Sequence, residues 1–276
     1  MNDLLQAAAE SAQTLIAAAF VRAAPEASAQ GARLLGAVTL PRRAEHGDLT
    51  ANHALIGAAA FGLPPDELAR RLARNIDVDG SCFAAVDAAG AGFLNFTLGD
   101  VWYNAALDEA ARPVTPPTAL AVPETAEDEL RLFPRASDVP VEELSQRSDM
   151  ANGVYRVRYA YARMGAVIEN YAAAARPAYP AGTADTARLS LPAERALIKL
   201  IAMLPGECAR AVERCDAAAL CGYALRLADG FYAVYALPGY FAADEHTLAQ
   251  RLRLLAAARS ALGYALDRAG VNKNMI

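Results

Sequence analysis

The sequence predicts a small α+β N-terminal domain followed by an all-α helical bundle. Short, β-leaning apolar stretches lie among helical segments only before about residue 100. Four prolines, at positions 113, 116, 117 and 123, then interrupt any core-forming pattern. Beyond residue 126, almost every segment repeats apolar residues at helical spacing.

The first domain is expected over residues 1–112. Leu4, Leu5, Ala8, Leu15, Ile16 and Ala19 give a helix over 3–23 that Pro25 ends. Leu34–Leu40 reads as a strand stopped by Pro41. A polar loop, Arg42–Asp48, follows, with Asp48 or Thr50 capping a helix to about Phe61. Pro64-Pro65-Asp66 opens another helix to about Asn75. Ser81–Ala88 and Phe93–Leu98 read as two strands joined by a turn with Gly90 and Gly92, before a short helix over 101–112. Residues 113–125 read as a Pro-rich linker. The second domain, 126–276, has helical periodicity over 127–133, 142–149, 151–175, 191–204, 206–214, 216–236 and 245–269. Two apolar stripes, Leu197/Ile198/Ile201/Leu204 and Leu248/Leu252/Leu255/Ala258/Leu262, are read as core.

Composition narrows the function classes. The net charge of −5 hides an asymmetry: residues 1–150 carry −10 and residues 151–276 carry +5. All basic residues but Lys199 and Lys273 are arginine, the side chain suited to phosphate forks and base stacking. A basic half on an acidic chain can bind RNA locally. No apolar run reaches the roughly 18 residues of a membrane span. The start Met1-Asn2-Asp3 has no basic n-region, so a cytoplasmic location is expected. The four cysteines form no CxxC pair and are read as buried thiols, Cys208 and Cys215 sharing a helix face. His46, Asp48 and His53 lack the spacing of a closed metal site, and no metal or cofactor is expected. The acidic pairs Asp66-Glu67 and Glu142-Glu143 stand at helix starts, where the macrodipole favours them. No catalytic residue is assigned.

Several stretches carry a resemblance. His46-Gly47-Asp48-Leu49-Thr50-Ala51-Asn52 is followed by Gly92-Phe93-Leu94-Asn95-Phe96-Thr97-Leu98. This resembles the N-terminal appended domain of arginyl-tRNA synthetases, with its Gly-Asp-x-x-x-Asn segment and Gly-Phe-x-Asn-Phe strand in the same order. Asp128-Glu129-Leu130-Arg131 is similar to the Asp-Ala-Leu-Arg signature of the family's DALR anticodon-binding domain. Asn152–Arg163 resembles its Asn-Pro-x-Tyr-x-x-Gln-Tyr-Ala-His-Ala-Arg, with Gly153, Arg158 and Tyr161 where the pattern has Pro, Gln and His. Phe231-Tyr232-Ala233-Val234-Tyr235 is similar to its Phe-Tyr-x-x-Tyr, and the tail 269–275 to its Leu-Gly-Ile ending with a late Met.

The resemblance implies a tRNA binder. It places Asn95, with Phe93 and Phe96, at the tRNA elbow, where aromatic rings stack on unstacked bases and amides read base edges. Strand alternation sets Phe93 and Asn95 on one face and Leu94 and Phe96 on the other, so one phenylalanine is expected in the core. It places Tyr159, Tyr232 or Tyr235, and Met275 around the anticodon loop, with Arg156 and Arg163 near Tyr159 on one helical face. Between its two tRNA-binding domains the family carries an ATP-binding Rossmann domain with His-x-Gly-His and Lys-Met-Ser-Lys-Ser signatures. Here that interval is a Pro-rich linker, the three histidines (His46, His53, His246) form no such pair, and there is no GxGxxG. The expected protein is therefore a non-enzymatic tRNA binder preferring arginine isoacceptors, with no DNA or membrane partner. The alternative is a subunit that supplies tRNA grip to a separate partner enzyme in trans.

Overall fold

The computed structural model describes residues 4–23, 36–41, 43, 46–112, 117–134, 139–172 and 183–274. The chain divides into two compact units that meet within one helix, between Tyr103 and Asn104.

The first unit packs helices on a four-stranded antiparallel sheet of order β1-β2-β4-β3. Its strands are β1 (Val38–Thr39), β2 (Leu49–Ala51), β3 (Phe83–Ala89) and β4 (Phe93–Leu98). Helix α1 (Leu4–Ala23) buries Ala8, Ala12, Ile16, Ala19, Phe20 and Ala23, a stripe at helical spacing. Its length and apolar composition would suffice to cross a membrane, yet this stripe belongs to the core of the unit. Helix α3 (Pro65–Asn75) starts on a proline at N1 with Asp66 and Glu67 in its first turn and buries Leu68, Ala69 and Leu72. Of the strand expected over 34–40, Leu34 and Leu35 lie outside the described residues.

The Gly-Asp-x-x-x-Asn segment differs from expectation in an instructive way. Residues 49–51 form β2, and helix α2 (His53–Phe61) starts only at His53. Asp48 caps no helix: its Oδ2 accepts the Leu98 amide at 2.8 Å, and its own amide donates to the Phe96 carbonyl at 2.8 Å. Asn52 Oδ1 accepts the Ala37 amide at 2.8 Å. Gly47 sits at φ +78°, and a Cβ there would lie 2.8 Å from the Phe96 carbonyl oxygen. The motif thus welds β2 between its neighbours, and glycine is required by both conformation and space.

The second unit is helical. It takes in the end of α4 (Asp100–Ala110) and contains α5 (Ala126–Arg131), α6 (Val141–Ser145), α7 (Gly153–Ala172), α8 (Pro192–Ala202), α9 (Leu204–Arg214), α10 (Ala217–Tyr235) and α11 (Glu245–Ala269). A 3-10 turn at Thr186–Arg188 was not expected from the sequence. Thr186 donates its amide and hydroxyl to Asn104 Oδ1 at 2.8 and 2.7 Å, tying this turn to α4. Both apolar stripes expected in the core are buried. The Pro-rich segment is described from Pro117, and there it lies along the end of α11: the Leu120 amide donates to the Arg268 carbonyl at 2.8 Å. Cys215 does not share a helix face with Cys208; it ends α9 in the left-handed region at φ 50° and is exposed. Burial pushes the Cys208 and Cys221 thiols up to about 11 and about 12.

Candidate nucleic-acid interface

In the first unit, β4 alternates as a half-buried strand must. Leu94, Phe96 and Leu98 face the core, while Phe93 is 37% exposed. Phe96 is fully buried with its ring centroid 4.9 Å from that of Phe83. That corrects its assignment to an RNA contact: it holds the sheet to the core and offers no face to a base. Phe93 and Asn95 instead line a cavity of about 540 Å³ with Leu40, Arg43, His46 and Thr50. Thr50 lies directly across from Asn95 in the β2–β4 register, and its hydroxyl donates to Asn95 Oδ1 at 3.0 Å. The amide is thereby turned so that its Nδ2 donors meet no acceptor among the described residues. An exposed ring beside an oriented amide is the pairing that recognises a splayed base. Thr50, Arg43 and His46 were missed as lining residues: strand pairing brings Thr50 to Asn95, and the segment before β2 brings Arg43 and His46 to the same cavity.

In the helical unit, α7 presents Tyr155, Arg156, Tyr159 and Arg163 toward α10. Asn152 starts this helix: its Oδ1 accepts the Tyr155 amide at 3.1 Å, and its Nδ2 donates to the Leu144 and Arg147 carbonyls at 2.9 and 3.0 Å. Tyr155 and Tyr159 stack at 5.9 Å with their planes 24° apart. Arg156 pairs with Asp229 of α10. Arg163 donates Nε to the Tyr235 hydroxyl at 2.8 Å, with its guanidinium carbon 5.1 Å from that ring's centroid. The Tyr232 hydroxyl donates to the Arg156 carbonyl at 2.8 Å. Burial above all pushes the Tyr232 hydroxyl well up, so it remains a donor at neutral pH. The structure therefore brings Arg156, Tyr159, Arg163, Tyr232 and Tyr235 to one face, with Tyr155 as an unforeseen addition. Met275 lies outside the described residues.

Arg158 has a different task. It is largely buried, donates Nη2 to Glu129 at 2.7 Å and Nε to the Asn272 carbonyl at 2.6 Å, while Glu129 Oε1 accepts the Asn272 amide at 2.9 Å. Asp128 completes a capping box with Thr125 at the start of α5. The Asp-Glu-Leu-Arg stretch, α7 and the tail are thus one interlocked scaffold under the aromatic face. Among the described residues, no group of three or more His, Cys, Asp or Glu side chains is placed to hold a metal ion.

These two units correspond to two known tRNA-associated domain families. The family described as arginyl tRNA synthetase N terminal domain matches residues 10–98. The family described as DALR anticodon binding domain matches residues 157–273. The chain is arginyl-tRNA-synthetase-like. The arginine–tRNA ligase of Nitratidesulfovibrio vulgaris is 46% identical over 68 residues, 24% of this chain and 12% of the ligase. That of a Psychrobacter species is 34% identical over 142 residues, 47% of this chain and 23% of the ligase. The chain thus spans less than a quarter of the length of these curated relatives. The Thermus thermophilus arginyl-tRNA synthetase structure superposes with a TM-score of 0.55 at 11% identity, over 93% of this chain and 99% of that one, a likeness of fold.

Proposed function

We propose that this chain is a non-catalytic, cytoplasmic tRNA-binding protein that prefers arginine tRNA. It would take the elbow on the Phe93–Asn95 cavity and the anticodon loop on the α7–α10 aromatic face. The observation that carries this reading is the spacing of the two matched domains: only residues 99–156 separate them. That interval is too short for an ATP-binding α/β domain, which needs on the order of 100 residues or more. Its described part holds the short helices α4–α6. What remains is a pair of RNA-contact surfaces on one chain, and two weak contacts on one ligand reinforce each other through effective concentration.

The test is a filter-binding titration of the full chain with bulk tRNA at two salt concentrations, followed by sequencing of the retained tRNA. Retention enriched in arginine isoacceptors and weakened by salt is expected. No retention at low salt overturns autonomous binding. Arginine-dependent ATP–pyrophosphate exchange above background overturns the non-catalytic part.

A further inference from the structure

A second cavity, of about 430 Å³, lies in the helical unit between α7 and α11. We propose that it is a binding site for a nucleoside phosphate, separate from the aromatic face assigned to tRNA above. Tyr161 and Ile168 of α7 line it. They stand about half a turn of the helix away from Tyr159 and Arg163, so the cavity opens on the opposite side of α7.

Two mid-helix glycines build the site. At Gly263 of α11 a Cβ would lie 2.9 Å from the Tyr161 ring edge, and at Gly165 of α7 a Cβ would lie 3.0 Å from Arg259 Nε. Glycine is disfavoured in a helix interior relative to alanine. Here each one makes room for a side chain of the other helix. The Arg259 guanidinium carbon sits 4.2 Å from the Tyr161 ring centroid, and its Nε donates to the Tyr161 carbonyl at 3.3 Å. The side chain is held by stacking and by one nitrogen, while its two Nη groups meet no acceptor among the described residues. Lys273 Nζ lies 6.0 Å from the same ring centroid and 2.5 Å from Asp267 Oδ2.

The donor set selects the ligand. A fixed guanidinium fork with free Nη donors fits phosphate oxygens in bidentate fashion. Tyr264, Ile168 and Ala256 supply apolar walls for a base, and Ser260 a hydroxyl beside them. Asp267 is the acceptor a ribose hydroxyl needs, a role carboxylates take in nucleotide sites. It also disfavours a bare anion. The volume lies in the range of small-molecule sites. A free mononucleotide and a nucleotide within an RNA strand present the same chemistry, and the experiment separates them.

The full chain is titrated calorimetrically with AMP, GMP, CMP and UMP, with the matching nucleosides, and with inorganic phosphate. Saturable one-to-one binding of at least one monophosphate is expected, weakened about tenfold or more in Arg259→Gln and for the nucleoside lacking phosphate. No saturation by any of the four at millimolar concentration overturns the site. Irradiation of the unmodified protein with 8-azido-AMP gives a readout that needs no variant: label on peptides holding Tyr161 or Tyr264 supports the proposal, and label confined elsewhere overturns it. Displacement of bound tRNA by the saturating mononucleotide assigns the site to RNA. Saturable mononucleotide binding without displacement, or in a chain that retains no tRNA, assigns it to free nucleotide. Both uphold the site, and neither depends on the elbow and anticodon reading.

Discussion

The Thr50 hydroxyl donates to Asn95 Oδ1 at 3.0 Å from the directly opposed position on the neighbouring strand. The Asn95 side-chain amide is therefore oriented by β2, not by its own strand. Replacing Thr50 with valine keeps the shape and removes the donor. Expected is a loss of tRNA affinity of about 1 kcal/mol, the net worth of one hydrogen bond, with an unchanged melting temperature. Thr50→Ser should restore it. Equal affinity in Thr50→Val and the parent chain would show that this bond positions nothing.

Phe93 and Phe96 stand three positions apart on one strand, on opposite faces, and should fail in opposite assays. Phe96→Ala empties the core against Phe83 and costs about 3–5 kcal/mol of stability, read as a lower denaturant midpoint. Phe93→Ala leaves stability nearly unchanged and weakens tRNA binding by about 1–3 kcal/mol, the worth of one stacked base. A Phe93→Ala chain that binds tRNA like the parent sinks the elbow assignment.

Arg163 is predicted to act on RNA through charge and stacking together. Arg163→Ala should weaken tRNA binding at all sequences and reduce the salt slope by about 1, the signature of one lost phosphate contact. Tyr235→Phe, which removes the hydroxyl holding Arg163, should weaken binding without changing that slope. A slope unaltered by Arg163→Ala would place this arginine off the RNA.

Removing either partner of the Arg158–Glu129 pair leaves the other charge nearly buried, their side chains being 11% and 12% exposed. Arg158→Ala or Glu129→Ala should cost about 3 kcal/mol in urea unfolding of the helical unit. The double variant should cost less than the sum of the two singles, since it strands no charge. Simple additivity would mean that the pair does not couple.

Stability should also respond to pH through His53. Burial lowers its proton affinity below the ordinary value of 6.5, and its Nδ1 has no partner among the described residues. The unfolded chain therefore binds a proton that the folded one refuses. Stability is retained above about pH 6.5 and falls as the pH drops below it. His53→Gln should flatten that part of the curve in chemical denaturation; an unchanged slope would assign the acid sensitivity elsewhere.

The sequence was informative where information is local. α11 runs over the expected 245–269 because its apolar stripe persists from Leu248 to Ala269, Asp244 caps it and Gly270 ends it in the left-handed region. Strand alternation put Phe93 and Asn95 on one face of β4, but both faces carry a phenylalanine, so only the partner strand's Phe83 decides which face is core. Asp48 looked like a helix cap because the residues that follow it are helical from position 53. Its real partner is the Leu98 amide, 50 positions away. Separation along the chain likewise hid the Glu129–Arg158–Asn272 interlock and the seats that Gly165 and Gly263 provide for Arg259 and Tyr161.

The interlock has a kinetic side. Asn272 is held by residues 143 and 114 positions earlier in the chain. Contacts of such separation form late, since their loop-closure cost precedes any gain. On the ribosome, the buried charges of Glu129 and Arg158 must wait for the tail to be synthesised before their remaining bonding partner exists. The closing step of folding in this half is therefore the docking of Asn272 onto Glu129 and Arg158, not the formation of its helices.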